Sequence, residues 1–505
     1  MLSVLVLFPL AVAAALAAGR RLTDRVVHWI WLGATVVDLA LVVVVWWRAA
    51  RDVGYGTGRF AAEEQIKWIP GAGVSYHVGV DGLSLPLVAL TAVLFLACAV
   101  YSSGDRKRVR PFAMLMLFLQ TVSLGLFVSL DLILFFVYFD LSIVGMYFVI
   151  VGWGHEAAKA AALKFFLYTF VGSLGLLLGF IGLYVASSPR TFDMVELART
   201  NPLAGHGTAA ALVLLAIGVG LAIKTPTVPF HTWLPPAHTQ APAAGSAILA
   251  GVLLKMGTYG FVRIALPMLP DQWRTYAWLF VAVGVVSVVY GALVALAQTD
   301  LKAMIAYTSI NHMGYILLAV GVAGLLAHTD AEARSLAVTG AVVQMVSHGV
   351  ITGALFLLTG VLRRRGGTYE MAAYGGLAAP APRFAGLVAI GFFASLGLPA
   401  FSGFIAEFQI FSGSLGAAPW WTAVAVFGIL LTAALFLRAY QAMMLGETRF
   451  PDAPGTPRRF ADVTISEAAP VTGLLLLSLV IGLAPRFLLD VVEPAARAAV
   501  DLVSR

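Results

Sequence analysis

Four ionisable residues, Asp140, Lys224, Lys255 and Glu407, fall inside stretches otherwise apolar enough to cross a lipid bilayer. An ionised group near the bilayer centre costs about 2.5–3.5 kcal/mol on insertion scales, so four of them without a role are hard to explain. Residues of this kind face the interior of a bundle, pair with one another, and either hold helices together or carry protons. His231, His238, His312 and His348 also lie in or at the ends of apolar segments. Histidine titrates near neutral pH and can take a proton on one ring nitrogen while releasing it from the other. His312, in Ser309-Ile-Asn-His312-Met-Gly314, and His348, in Gln344-Met-Val-Ser347-His348, are the candidate relays; the alternative for each is a packing histidine.

Other chemistries find no support. Cys98 is the only cysteine and lies in an apolar run, which rules out disulfide frameworks, iron–sulfur clusters and cysteine zinc sites. No His, Cys and carboxylate set has metal-ligand spacing, and there is no phosphate-binding loop, nucleophile elbow or dinucleotide fingerprint.

The elements that position these groups are membrane helices. Of 505 residues, 60% are hydrophobic and 11% charged, with a mean hydropathy of +0.92, too apolar for a soluble core to hide. The net charge of +7 forms no basic stripe, so a membrane surface and not nucleic acid is the expected contact. A helix needs about 20 apolar residues to cross the hydrocarbon, and this template predicts fourteen spans. They are 2–19, 27–47, 82–102, 111–129, 131–151, 163–186, 209–229, 240–264, 274–296, 302–324, 335–361, 385–413, 419–445 and 467–485. The basic residues Arg20, Arg21 and Arg25 follow the first apolar stretch where a signal peptide would have them in front, so an uncleaved helix is expected. With both termini outside, the inside loops carry 18 basic residues, including Arg106, Lys302, Arg363, Arg458 and Arg459, against 12 outside; the reverse orientation inverts that bias.

Spans four to eight and nine to thirteen share similar spacing. Asp140 and His312 lie 172 positions apart, and Pro226 and Pro399 lie 173 apart. A five-helix unit ends on the side opposite to its start, so a second copy is inverted relative to the first. Each copy contains a proline-rich interruption, Lys224-Thr-Pro226-Thr-Val-Pro229 and Gly397-Leu-Pro399-Ala-Phe-Ser-Gly403, where the helix should break inside the bilayer. The predicted fold is therefore an all-α integral membrane protein of about fourteen transmembrane helices with two inverted five-helix repeats, each with a broken helix. The expected divisions are 1–110, the first repeat 111–264, the second repeat 274–445 and a C-terminal part 446–505.

The stretch from Lys224 through His231-Thr-Trp-Leu-Pro-Pro-Ala-His238 to Lys255-Met-Gly257-Thr-Tyr259 resembles the central motif of the antiporter-like subunits of respiratory complex I. Gln298-Thr-Asp300-Leu-Lys302, Ala306-Tyr307-Thr-Ser309 and Gln344-Met-Val-Ser-His348-Gly349 are similar to other motifs of that family. Glu407, where most branches have lysine, resembles the M branch. Two departures are Asp140 in place of the usual glutamate and Pro236 in place of the usual aspartate. The resemblance implies a proton-translocating membrane subunit of NADH:quinone oxidoreductase in a bacterial-type cytoplasmic membrane. Its implied neighbours are the L and N types of subunit and the hydrophilic arm. This chain is expected to hold no cofactor, with NADH, FMN, iron–sulfur clusters and quinone on partner subunits. Asp140 and Lys224 are expected to form a charge pair, Lys255 and His312 a central relay joined by His348, and Glu407 the outward exchange group. The runner-up reading is a cation/proton antiporter, and a third is a structural scaffold.

Overall fold

The computed structural model describes residues 1–19, 21–52, 60–104, 107–325, 330–451 and 460–504. Arg20, Arg106, Arg458 and Arg459 of the charge count lie outside the described residues. The first helices are α1 (Leu2–Ala18), α2 (Asp24–Asp52), α3 (Leu85–Tyr101), α4 (Val109–Val128), α5 (Leu132–Trp153) and α6 (Ala158–Ala186). After a short α7 (Met194–Thr200) come α8 (Gly207–Lys224) and α9 (Leu234–Gln240). A helix over Ala243–Met268 follows, in which α10 (Ala243–Ile248), α11 (Leu254–Gly260) and α12 (Leu266–Met268) are separated by π-turns at Leu249–Leu253 and Phe261–Ala265. The remainder is α13 (Pro270–Leu296), α14 (Leu301–Leu325), α15 (Ala331–Gly366), α16 (Pro382–Ser395), α17 (Ser402–Leu415), α18 (Pro419–Met444), α19 (Ile465–Leu483) and α20 (Arg486–Val503).

Among the described residues, twelve helices are long and apolar enough to cross a membrane, and α1 and α16 are shorter apolar helices. The span predicted at 385–413, with a break at its Gly397–Gly403 interruption, is found as two half-helices, α16 and α17, that part at that interruption. Pro399 has no N–H to give, and Gly397 and Ala400 take positive φ of 75° and 85°, which turn the chain out of the helix. The segment 486–503, predicted as tail, is instead an amphipathic helix. Its apolar face, including Leu488, Val492, Ala496 and Val500, is buried, and α20 packs on α15. Arg334 and Arg274 hold its end by donating to the carbonyls of Val500 (3.3 Å) and Val503 (2.5 Å). At the centre stands α15, whose membrane-length window is buried all round, as expected of a helix apolar on every face.

Between α2 and α3 the chain forms an antiparallel hairpin, β1 (Ala61–Ile69) with β2 (Val74–Val80). The span template has no signal for it. Its buried His77 bonds Asp193 Oδ2 through Nδ1 (2.6 Å) and Glu63 Oε1 through Nε2 (2.8 Å), tying the hairpin to the N-cap of α7. Burial alone would lower its proton affinity, but the bonds to Asp193 and then Glu63 outweigh burial and raise its pKa above 6.5. A raised histidine pKa stabilises the fold fully below about pH 6.5, and the gain is lost as pH rises through the higher folded value. Hairpin protection from hydrogen exchange should therefore fall by about 1 kcal/mol as pH rises through that range. In His77→Gln it should be flat with pH; a pH-dependent variant would refute the assignment.

Candidate functional site

The first buried pair belongs to α5 and α8. Lys224, the last residue of α8, is buried, donates through Nζ to Ser142 Oγ at 2.8 Å and lies 4.7 Å from the centroid of the Phe139 ring. Asp140 acts on Lys224 through its charge but makes no direct ion pair with it, and one of its carboxylate oxygens, Oδ1, is buried with no hydrogen-bond partner. The two charges therefore act on each other without direct contact. An aspartate side chain is one methylene shorter than glutamate, and Ser142, two residues along the same helix, takes the ammonium instead.

The break after Lys224 is sealed by protein groups. Thr227 N–H donates to the Ala222 carbonyl (3.1 Å) and the Trp233 indole to the Ile223 carbonyl (2.9 Å). These satisfy the Ala222 carbonyl, which Pro226 has no N–H to meet, and the Ile223 carbonyl, which the displaced Thr227 N–H leaves. Gly257 allows the next helix to close on the break, because a Cβ there would come within 2.4 Å of Thr225 Oγ1.

Lys255 sits in α11 between the two π-turns, a helix distortion that recurs at functional sites. It is fully buried, and its Nζ meets the Ala250 carbonyl and His348 Nδ1, each at 2.6 Å. The His348 and His312 rings follow at 5.3 Å between centroids. His312 Nδ1 accepts from Gln344 Nε2 at 3.0 Å and lies 4.0 Å from Glu407 Oε1. A cavity of about 10 Å³, close to the room one water needs, adjoins both rings and is lined also by Gln344, Ser347 and Ser395. Lys255, His348, His312 and Glu407 therefore form one line of buried proton-exchanging groups contributed by α11, α15, α14 and α17.

Glu407 is held against the second break. A Cβ at Gly397 would fall 2.3 Å from Glu407 Oε2, so only glycine leaves the carboxylate its place, and its φ of 75° disfavours other residues as well. Gly397→Ala should strain the backbone by about 1–2 kcal/mol and push the carboxylate from His312. Coupled turnover of the assembled complex should drop severalfold, and an unchanged rate would show that this position of Glu407 is immaterial.

The supporting residues divide. His238 is fully buried, stacks on Phe356 (4.5 Å between centroids) and feels the charges of both Lys302 and Lys255. His231 packs on Tyr290 (4.9 Å) away from the line. Tyr259 OH donates to the Phe127 carbonyl and accepts from Arg263, itself paired with Asp81, and Ser309 bonds its own helix at the Ile305 carbonyl. Neither joins the line. Pro226 and Pro399 mark the two breaks. Sequence reasoning missed Lys302, counted there with the inside loops. It is completely buried, donates to the Ala241 carbonyl (2.5 Å) and lies 3.5 Å from Tyr369 OH, which meets His155 Nε2 at 3.0 Å. Its signal was Asp300 two residues ahead, the carboxylate that receives the Ala303 N–H at the start of α14.

Residues 129–432 match the family described as NADH:quinone oxidoreductase/Mrp antiporter, transmembrane. A NADH-quinone oxidoreductase subunit M from Rickettsia bellii is 38% identical over 470 residues, covering 93% of this chain and 91% of the relative. Among solved structures, respiratory complex I from Thermus thermophilus with bound NADH contains a similar chain (TM-score 0.86, 30% identity, full coverage of both). The Mrp complex from Dietzia sp. shares the fold (TM-score 0.84, 24% identity, 99% of each chain).

Proposed function

The chain belongs to the family of NADH:quinone oxidoreductase and Mrp antiporter membrane subunits, with curated relatives that include NADH-quinone oxidoreductase subunit M, and on that premise we propose that Lys302, His238, Lys255, His348, His312 and Glu407 carry protons across the bilayer. The observation that carries this is the contact of Lys255 with His348, followed by His312 and Glu407, in the interior of a membrane bundle. The chain is a membrane subunit of an oxidoreductase complex, beside other membrane subunits. NADH, FMN, iron–sulfur clusters and quinone are assigned to the partners.

In this reading Lys302 and His238 supply Lys255 from the inside, His348 and His312 pass the proton on, and Glu407 exchanges it with the outside. Asp140 and Lys224, which act on each other through their charges, form a charge switch. Both termini lie outside a bacterial cytoplasmic membrane, and 111–264 and 274–445 are the inverted halves. Displacing one charge about 7 Å from its partner, at an effective dielectric near 20, is worth about 2.4 kcal/mol. Moving a proton against roughly 200 mV costs about 4.6 kcal/mol, so several pairs must switch together. The test is the intact complex in sodium-free vesicles: NADH oxidation should acidify the lumen, when the hydrophilic arm faces out, at the same rate with or without sodium. Acidification that requires sodium would favour the cation/proton antiporter.

A further inference from the structure

At the end of the bundle where α5 and α15 finish and α4 begins, a pocket of about 220 Å³ opens between Trp31, Phe112, Trp153 and Tyr369. Its polar lining is almost wholly cationic or donating. Lys107 and Arg363 reach it, and among the described residues neither pairs with a carboxylate. The nearby acid Glu467 is taken up by Arg364 and Arg365. Two buried donors in the lining lack acceptors: the Trp31 indole N–H, 1% exposed, and the Ser102 hydroxyl, 3% exposed. Such donors cost about 1–3 kcal/mol each when left unmet. His155, in the loop after α5, reports the field: burial first, and then the charges of Lys302, Arg363 and Lys107, lower its pKa to about 4. Among the described residues, Lys107 and Arg363 with two unmet donors beside them are complementary to an anion bearing several acceptor oxygens.

We propose that this pocket binds the phosphate of an anionic membrane lipid. A lipid fits better than a free ion because the walls are aromatic and because α2, which supplies Trp31, turns an exposed apolar face outward through Trp29, Val36 and Val43, where an acyl chain can lie. The basic residues belong to loops assigned to the inside, the leaflet where such headgroups attract them.

Intact complex would be purified in mild detergent, washed free of loose lipid, and its retained phospholipids counted by native mass spectrometry. Lys107→Gln/Arg363→Gln should lose about one anionic phospholipid per complex, recoverable with phosphatidylglycerol vesicles in wild type and not with phosphatidylcholine. Lys107→Arg/Arg363→Lys, which keeps both charges, should retain it and serves as the folding control. Trp31→Phe, which keeps the ring and removes the donor, should weaken retention about fivefold. Equal lipid counts in wild type and the glutamine variant would overturn the proposal. So would displacement of the lipid signal by millimolar inorganic phosphate alone, since the site would then be one for a free ion.

Discussion

Lys255→Met should lower quinone-coupled NADH oxidation and proton pumping about tenfold or more, while electron transfer from NADH to an artificial acceptor at the flavin stays near wild type. Lys255 Nζ is the group that meets His348 Nδ1. Methionine has a similar length and an adaptable apolar stem, so it fills the same space but carries no proton. No carboxylate pairs with Lys255 among the described residues; its partners are a carbonyl and an imidazole. Removing the ammonium therefore leaves no buried counter-charge, the usual source of large losses when one member of an ion pair is deleted. The stability cost is limited to about 1 kcal/mol for the unmet polar neighbours. An assembled complex with reduced pumping then reports the chemistry of the lysine. Wild-type pumping in that variant would show that protons bypass α11.

Glu407→Gln should reduce coupled turnover by a similar factor. The amide has the shape of the carboxyl and fits the same place beside Gly397, but it cannot take up and release a proton. Glu407 Oε1 stands 4.0 Å from His312 Nδ1, longer than a hydrogen bond, and a rotation of either side chain is needed to close the gap. Glu407→Asp retains a proton carrier but withdraws it by one methylene, so its turnover should fall between wild type and Gln. Equal rates for Asp and Gln would assign the loss to geometry and not to proton exchange.

The four charges inside apolar spans were legible from the cost of burying them, and the two breaks from proline and glycine. Both rest on rules that act within about twenty residues of chain. The pairing of Lys255 with His348, 93 residues apart, depends on how α11 meets α15, which hydropathy does not encode. Ser142 was hidden because a serine costs little in a membrane helix. Its role appears only when the aspartate beside it falls short of Lys224. Lys302 escaped because a span boundary drawn from hydropathy puts it at a helix start, where a lysine reads as solvated. The hairpin at Ala61–Val80 and the helix α20 were missed for a related reason: neither has the length or uniform apolarity that the span template seeks. Tyr259 and Ser309 came with the family motif, and their bonds serve the Arg263–Asp81 anchor and the helix itself.

The measurement that bears most directly on the proton line is protons moved per NADH oxidised, with oxidation and vesicle acidification recorded side by side in complex carrying Glu407→Gln. If the line ends at Glu407, acidification collapses and coupled oxidation falls with it, while electron entry at the flavin is unchanged. Wild-type acidification per NADH in a fully assembled Glu407→Gln complex would contradict the account, because protons would then be leaving without this carboxyl.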